Sequence, residues 1–484
     1  METLVIDVQR AAMTKWPSSS YSSVRARPLP KPSFGSEGRP PQMMYLLPEF
    51  PGEHPINWRR NLYGMVGHGV KYFDLFIFAT AQESSHTCDY TDPDDGSYQG
   101  VRRGLNEIGM MDDIVATGVA QPDAALALLF AETADIWWSS INSGAAKRAL
   151  YIALRHEQLA VDVLSEEDCE NGALNHYSAL YIVEPQISES AMRAVAAWVN
   201  TGGHLVLTAA AATLNETNSS NVASAALLAP AGVKCSSATW TGRRFSRKNA
   251  TIYFVKEQLP WAEQLDSVTA TKHGVPGGKL GVFGEKSTCT IDGDIAATAV
   301  ETATVLATFE DGSAAELRVS SQAGNITIFN YHPGLSYFHP ATPRRPVDRA
   351  PHMDAFCNFV PTEFEVGLRA RRALAEPLES AGAEFAMSKP VVSDDALVEA
   401  SLVLADKGAV ITLVNWSENI KTLDAERSKA VTVTLGKPLP QFQSATLASC
   451  GVRAASHCSP DLHYDAVAGS VSVKLAIADA VILR

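Results

Sequence analysis

PEFPGEHPINWRRNLYGMVGHGVKYFDLFIF, residues 48–78, follows an apolar run, MMYLL, at 43–47. MMYLL reads as a buried strand, and Glu49 stands just past its end. Asn57 can cap a helix running through WRRNLYGMVGHG, and KYFDLFIF reads as a second strand. The loop ESSHTCDYTDPDDGS then leads into a helix over YQGVRRGLNEIGMMDDIV. Strand, helix, strand, helix is the pattern of parallel βα units. Two such units cannot close a barrel, which takes eight strands and about 250 residues. Fewer than fifty residues precede the stretch, so residues 43–122 are expected to form only part of a (β/α) barrel.

Upstream, TKWPSSSYSSVRARPLPKPSFGSEGRPPQ at 14–42 is rich in Pro, Ser and Arg. Proline fixes φ and removes donors, so residues 1–42 read as a linker or disordered segment. Downstream, the α/β alternation restarts near residue 123. AALALLF, VDVL, SALYIVE and HLVLTAA read as strands. AAKRALYIALRHEQL and SESAMRAVAAWVN read as helices between them, the second stopped by Gly202-Gly203. That order predicts a doubly wound, flavodoxin-like α/β domain over 123–350. Its later part turns β-rich, with a hairpin around Asp311-Gly312. Residues 351–382 read as a helical connection. Over 383–484, ASLVLADKGAVITLVNWS, VTVTL and SVSVKLAIADAVILR alternate apolar and polar residues. They predict a small antiparallel β-sandwich.

The chain has 484 residues, 46% hydrophobic content and a net charge of −13, enough apolar content to fill several cores. The basic cluster RRFSRK at 243–248 is the densest, and it reads as a solvated loop. A nucleic-acid groove needs more clustered Lys and Arg than this to replace phosphate counterions. No apolar run reaches about 18 residues, so no membrane span is expected. METLVIDVQRAAM carries Glu2 and Asp7 and lacks the apolar stretch of a signal peptide, which points to the cytoplasm. The seven cysteines are scattered without a CxxC pair, so neither a metal site nor a cofactor is signalled. Cys450 and Cys458 could form one bridge, but buried free thiols are the expectation.

Carboxylates at strand ends are the groups with chemical promise. Glu49 follows the first strand, and Glu83 lies beyond the second. Barrel enzymes place catalytic groups at such ends. Two carboxylates about 5 Å apart suit a retaining glycosidase, and roughly 6.5–9.5 Å apart an inverting one. The structural alternative is that Glu49 caps a turn and Glu83 is solvated. His54, His68 and His86 surround the same strand ends and could contact a sugar hydroxyl or Glu49; otherwise they are satisfied core or surface histidines. GMVGHG lies in a helix before a strand, the wrong order for a dinucleotide fingerprint, and GKLGVFGEKST fails the phosphate-loop spacing. Trp137, Trp138, Tyr337 and Phe338 could stack on sugar rings or fill cores. An amidotransferase reaction in the second domain would need an elbow cysteine. Neither LYIVEP nor LVLTAAA has one, and Cys169 sits among acids that raise a thiol pKa.

Taken together, LLPEFPG, WRRNLYGMVGHGVKYFDLFIF, LLFAETADIW, AAWVNTGGHLVLTAAAATLNETN and KGAVITLVNWS resemble, in that order, glycoside hydrolase family 42. The resemblance covers roughly residues 43–484. It implies a retaining β-galactosidase with a class I amidotransferase-like trimerisation domain and a small C-terminal β domain. Only Glu49 maps to a catalytic position, that of the nucleophile. The acid/base glutamate of the family, normally in an Asn-Glu pair, has no counterpart here. A truncated β-galactosidase-type hydrolase, inactive alone and acting on a terminal β-galactoside if active, is therefore expected. The alternative is a non-catalytic carbohydrate-binding or assembly protein built on the trimerisation and β domains. Either would form a homo-oligomer, a trimer by resemblance, with no nucleic-acid or membrane partner.

Overall fold

A computed structural model describes residues 44–47, 55–75, 97–120, 124–137, 141–239, 263–270, 279–292, 302–320, 323–341, 361–379, 389–417, 428–436, 442–452 and 462–484. β1 (Met44–Leu47) and β2 (Tyr72–Leu75) pair in parallel, with Leu47 opposite Leu75. Between them runs α1 (Pro55–Gly67). Its proline occupies the first turn, where a missing N–H costs nothing. α2 (Ser97–Gly109) follows. These are the two expected βα units. Among the described residues no further strand joins them and no barrel closes.

A mixed nine-stranded sheet lies at the centre. Its parallel part holds β4 (Leu126–Phe130), β5 (Val161–Ser165), β6 (Ala179–Ile182), β7 (His204–Thr208) and β14 (Asn325–Phe329). They run in the order β5-β4-β6-β7-β14. β13 (Ala314–Ser320), β12 (Thr302–Phe309), β9 (Gln264–Ala270) and β10 (Leu280–Phe283) continue it antiparallel from β14. The β12–β13 hairpin turns at Asp311-Gly312, as expected. Gly312 adopts φ +82°, and Asp311 accepts from the Ser313 N–H at 2.9 Å.

Both faces of the parallel strands are buried, which explains their near-continuous apolar runs. On one face Leu126, Leu128, Phe130 and Tyr181 pack with Ala149, Leu150 and Ala153 of α4 (Ile141–His156); α3 (Glu132–Trp137) follows β4 and buries Ala134 on the opposite face. On the other, Leu129, Leu180, Ile182 and Leu205 pack against Met192, Val195 and Trp198 of α5 (Glu189–Val199). Ser188 caps α5 by accepting from the Ala191 N–H at 3.2 Å. Gly202, at φ +117°, turns the chain into β7, the glycine stop read from sequence.

Two antiparallel sheets complete the architecture. One holds β15 (Val391–Ser393), β18 (Lys429–Leu435), β21 (Ser470–Leu475) and β20 (Leu462–Asp465). The other orders β19 (Ala445–Leu447), β22 (Ala478–Leu483), β17 (Gly408–Asn415), β16 (Val398–Ala405) and β3 (Val119–Ala120). Leu402, Ile411 and Leu413 face Val431, Val433 and Val473 across a shared core. The opposite face of the five-stranded sheet, with Val403, Val410 and Val414, packs into the cluster that holds Leu62, Tyr63, Met65 and Val66 of α1. Each of those α1 side chains is fully buried and is worth about 1.5–3 kcal/mol relative to exposure. A Cβ on Gly67 would overlap Thr412 and Ser401. Gly67 of GMVGHG thus serves close helix–sheet contact.

One expectation about cysteine is corrected. Cys235 and Cys289 form a disulfide rather than free thiols. They face each other on β8 (Val233–Thr239) and β11 (Lys286–Ile291), an antiparallel pair. The Cys289 N–H and C=O both bond the Asn330 side chain instead of Cys235. The two cysteines are therefore a non-hydrogen-bonded pair, the arrangement that brings opposed side chains closest. Cys169 is a free thiol, buried as expected; Cys450 is half-buried, and Cys458 lies outside the described residues.

Two buried histidines make stability depend on pH. Burial holds the His204 imidazole down to about 4, with Arg318 adding to the effect. His156 is depressed by burial and then by Arg371. An unfolded histidine titrates near 6.5, so between the two values the unfolded chain binds more protons. Stability is therefore full above that range and is lost as pH falls from about 6.5 toward 4. For His204 the loss between pH 7 and pH 5 is about 2 kcal/mol. Urea midpoints at the two pH values should show it, and His204→Gln should reduce the difference. Identical pH profiles for the two proteins would remove His204 as a cause.

Candidate functional site

Glu49, His54, Glu83 and His86 lie outside the described residues, as does Trp138. In sequence, Glu49 is two residues beyond β1 and Glu83 eight beyond β2. The carboxyl ends of these two strands are side by side in the parallel register.

His68, just past the end of α1, is described and is fully buried. Its Nε2 lies 2.8 Å from Glu399 Oε1 on β16 and 3.5 Å from the Tyr151 hydroxyl. The Arg155 guanidinium reaches Glu399 at 3.4 Å, donates to Ala400 O at 3.0 Å and donates to Ser401 Oγ at 2.9 Å. Trp416 Nε1 donates to the second Glu399 oxygen at 3.1 Å. His68 is thus a core residue joining α1, α4 and the five-stranded sheet, not one presented to a sugar hydroxyl.

The carboxyl ends of the parallel strands gather a second set of polar groups. Glu184, two residues past β6, is 1% exposed and ion-paired with Lys147 of α4. The Lys147 ammonium lies 4.1 Å from the Phe130 ring centroid, at the end of β4. Burial pushes the Glu184 carboxyl up, Lys147 pulls it back, and the nearby Asp135 of α3 raises it further. One oxygen of each acid, Glu184 Oε2 and Asp135 Oδ2, is buried without a hydrogen-bond partner. Glu166, by contrast, is fully used. It accepts from the Thr133 N–H at 2.8 Å and the Ser188 N–H at 2.5 Å, at the starts of α3 and α5.

Beyond β7 the backbone turns sharply. Ala209, Ala210 and Ala212 all have positive φ, a conformation alanine rarely adopts. At this turn Thr208 Oγ1 lies 3.1 Å from His332 Nδ1, and His332 Nε2 lies 3.3 Å from Glu285 Oε2. Sequence reading missed this hydroxyl–imidazole–carboxylate chain, although NYHPG marks the histidine. Thr208 and His332 are each 1% exposed, so the chain ties β7, β14 and the Glu285 turn together. The elbow holds Thr208 and alanines and no cysteine, as read. The Cys169 thiol is pushed well up by burial and then by Asp168 and Glu166, which makes it a poor nucleophile.

The aromatic candidates divide. Tyr337 and Phe338 are fully buried, with the Tyr337 hydroxyl 2.6 Å from His156 Nδ1. Trp137 is 43% exposed and donates its indole N–H to Glu216 O at 2.9 Å. A cavity of about 290 Å³ lies nearby in sequence, lined by Thr213, Asn221, Ser224, Leu228 and Cys235 among others. Its asparagine is fully engaged, capping the helix that starts at Val222 and donating to Ile187 O. Among the described residues no group of three or more His, Cys, Asp or Glu side chains could hold a metal ion. No described helix is long and apolar enough to cross a membrane.

No family model and no curated protein matches this sequence. Its fold does match solved structures. A β-galactosidase from Bacillus circulans sp. alkalophilus superposes with a TM-score of 0.54 at 13% identity, over 89% of this chain and 52% of that one. A catalytic mutant of a GH42 β-galactosidase from G. stearothermophilus gives 0.54 at 13%, over 89% and 50%. The β-galactosidase of the Antarctic haloarchaeon Halorubrum lacusprofundi gives 0.52 at 14%, over 90% and 51%. The resemblance to family 42 carried by the sequence motifs therefore extends to the fold. The chain spans about half the length of the structures it matches.

Proposed function

We propose that this chain is a glycoside hydrolase of β-galactosidase type whose sugar chemistry is not sustained by the chain alone. In this reading residues 43–122 are barrel units and residues 123–350 an amidotransferase-like trimerisation domain. Residues 351–382 connect it to a C-terminal β-sandwich over 383–484. One observation carries the reading: β1, α1 and β2 form a parallel unit, inside a fold shared with β-galactosidases over 89% of the chain. Glu49, just past β1, is the proposed nucleophile, with Glu83 the acid candidate nearest to it in the strand order. Retaining hydrolysis needs both a nucleophile and a proton donor held across the glycosidic bond. Two βα units offer few walls to hold a sugar between them. The assembly would be a homotrimer, sedimenting at three times the 51.9 kDa of one chain.

Nitrophenyl β-galactoside turnover by the chain and by Glu49→Gln tests this reading. No release above the uncatalysed rate is expected from either. A non-catalytic carbohydrate-binding or assembly protein is the second reading. It is favoured by His68, the one described histidine of the candidate set, being locked onto Glu399.

A further inference from the structure

Alternation along β8 places Val233 and Cys235 on one side of the strand. Both pack on the core cluster that takes in Leu227 and Leu228 of α6 (Val222–Leu228). The cavity of about 290 Å³ lies between β8 and α6, with Val233, Cys235, Ser224, Ala225 and Leu228 in its wall. Cys235 is half-buried. Cys289, its disulfide partner on β11, is 2% exposed and does not line the cavity. One cysteine of the bridge thus borders open space, and the other is sealed in the core.

Disulfides are opened by thiolates, and access decides which sulfur is attacked. The cavity, about 290 Å³, is at the lower end for ligand pockets, about 300–1,000 Å³. It has room for a molecule of a few carbons and not for a folded protein. Its described lining carries no carboxylate to repel an anion, and Lys234 is the one charged residue there. Lys234 pairs with Asp292 at 3.0 Å, but its side chain is 70% exposed, and exposed pairs hold weakly. The opposite wall is fixed. Asn221 caps α6 by accepting from the Ser224 N–H at 3.1 Å and donates to Ile187 O at 3.1 Å. The space is therefore built into the fold, not opened by unfolding. Among the described strands β8 pairs with β11 alone, so opening the bridge leaves only the ladder to hold it.

We propose that Cys235 is the attacked sulfur of a thiol-exchange site. A low-molecular-weight thiol enters the cavity and opens the Cys235–Cys289 bridge, which unlinks β8 from β11. The thiolate bonds to Cys235 Sγ as the Sγ–Sγ bond breaks, and Cys289 leaves with the electron pair and takes up a proton. A second thiol, on the same molecule or another, then attacks the reagent sulfur and releases Cys235, which is protonated in turn. The reagent ends as a disulfide, and the cystine gains two electrons and two protons. The site uses no residue of the hydrolase reading and goes beyond it.

The oxidised 484-residue chain is held in native buffer with dithiothreitol. New thiols are then trapped under denaturing conditions with iodoacetamide and located by peptide mass. Cys235 and Cys289 should be reduced within hours, at a rate proportional to dithiothreitol and unchanged by urea below the unfolding transition. Ala225 is exposed at the cavity wall. Ala225→Phe should narrow the entrance and slow reduction about tenfold or more, with circular dichroism confirming the fold. In Cys289→Ser, the remaining Cys235 should exchange with dithionitrobenzoate about tenfold faster than Cys289 does in Cys235→Ser. The wild-type arm decides alone if either serine variant does not fold. Reduction absent short of unfolding overturns the proposal, as does a rate that saturates with dithiothreitol or climbs with urea. Equal rates for the wild type and Ala225→Phe, or Cys289 exchanging as fast as Cys235, overturn it as well.

Discussion

Glu399→Ala is expected to destabilise the protein by about 3–5 kcal/mol, the range for removing one partner of a buried charge pair. Glu399 is 4% exposed. Its two oxygens face His68 Nε2 at 2.8 Å, an Arg155 amine at 3.4 Å and the Trp416 indole N–H at 3.1 Å. Truncation leaves the Arg155 guanidinium buried with neutral acceptors, Leu159 O at 2.6 Å and Ala400 O at 3.0 Å, and without that countercharge. The cost is large because the cation cannot reach water without separating α4 from β16. Glu399→Gln keeps an acceptor and should cost less. Since the cluster joins the end of α1, α4 and the five-stranded sheet, the loss should appear as one lowered urea midpoint. A change below about 1 kcal/mol, the level of an exposed pair, would show that the cluster is solvated.

Asn330→Ala should cost about 2–5 kcal/mol. This fully buried amide accepts from the Cys289 N–H at 3.0 Å and Ser287 Oγ at 3.1 Å. It donates to Ala314 O at 2.8 Å and Cys289 O at 3.3 Å. Alanine leaves the Cys289 backbone groups unpaired, and each buried orphan costs about 1–3 kcal/mol. The loss falls where β11 leans on the nine-stranded sheet, so the Cys235–Cys289 disulfide should also become easier to reduce. Urea unfolding and the rate of thiol release by a mild reductant read the two effects. Unchanged values for both would mean that β8 and β11 do not depend on Asn330.

Local signals were the legible part of this fold. Pro55 at the start of α1, Ser188 before α5, Gly202 after it and Asp311-Gly312 between β12 and β13 all act within a few residues of themselves. The continuous apolar runs of β4 and β7 marked strands buried on both faces, whereas the alternation read in β16 and β17 did not show that α1 covers their second face. What stayed hidden depends on register between distant segments. The Cys235–Cys289 bridge spans 54 residues and needs β8 and β11 to align with neither cysteine hydrogen-bonded to the other. Glu399 meets His68 across 331 residues and Arg155 across 244. Thr208 meets His332 across 124. β3, only two residues long, carries no periodicity, and its pairing with β16 follows from the open edge there. At the candidate site, His68 looked the same in sequence whether facing a sugar or a sheet, because its partner lies on β16. Glu49 and Glu83 remain assigned by their distance from β1 and β2.

Nitrophenolate release from a nitrophenyl β-galactoside, by the purified 484-residue chain at saturating substrate, is the decisive measurement. In the proposed reading Glu49 is the nucleophile and the acid/base glutamate of the resembled family has no counterpart, so release should equal the uncatalysed rate in wild type and in Glu49→Gln alike. Release well above that rate by the wild-type chain, lost in Glu49→Gln, would mean that these residues already form a working hydrolase site.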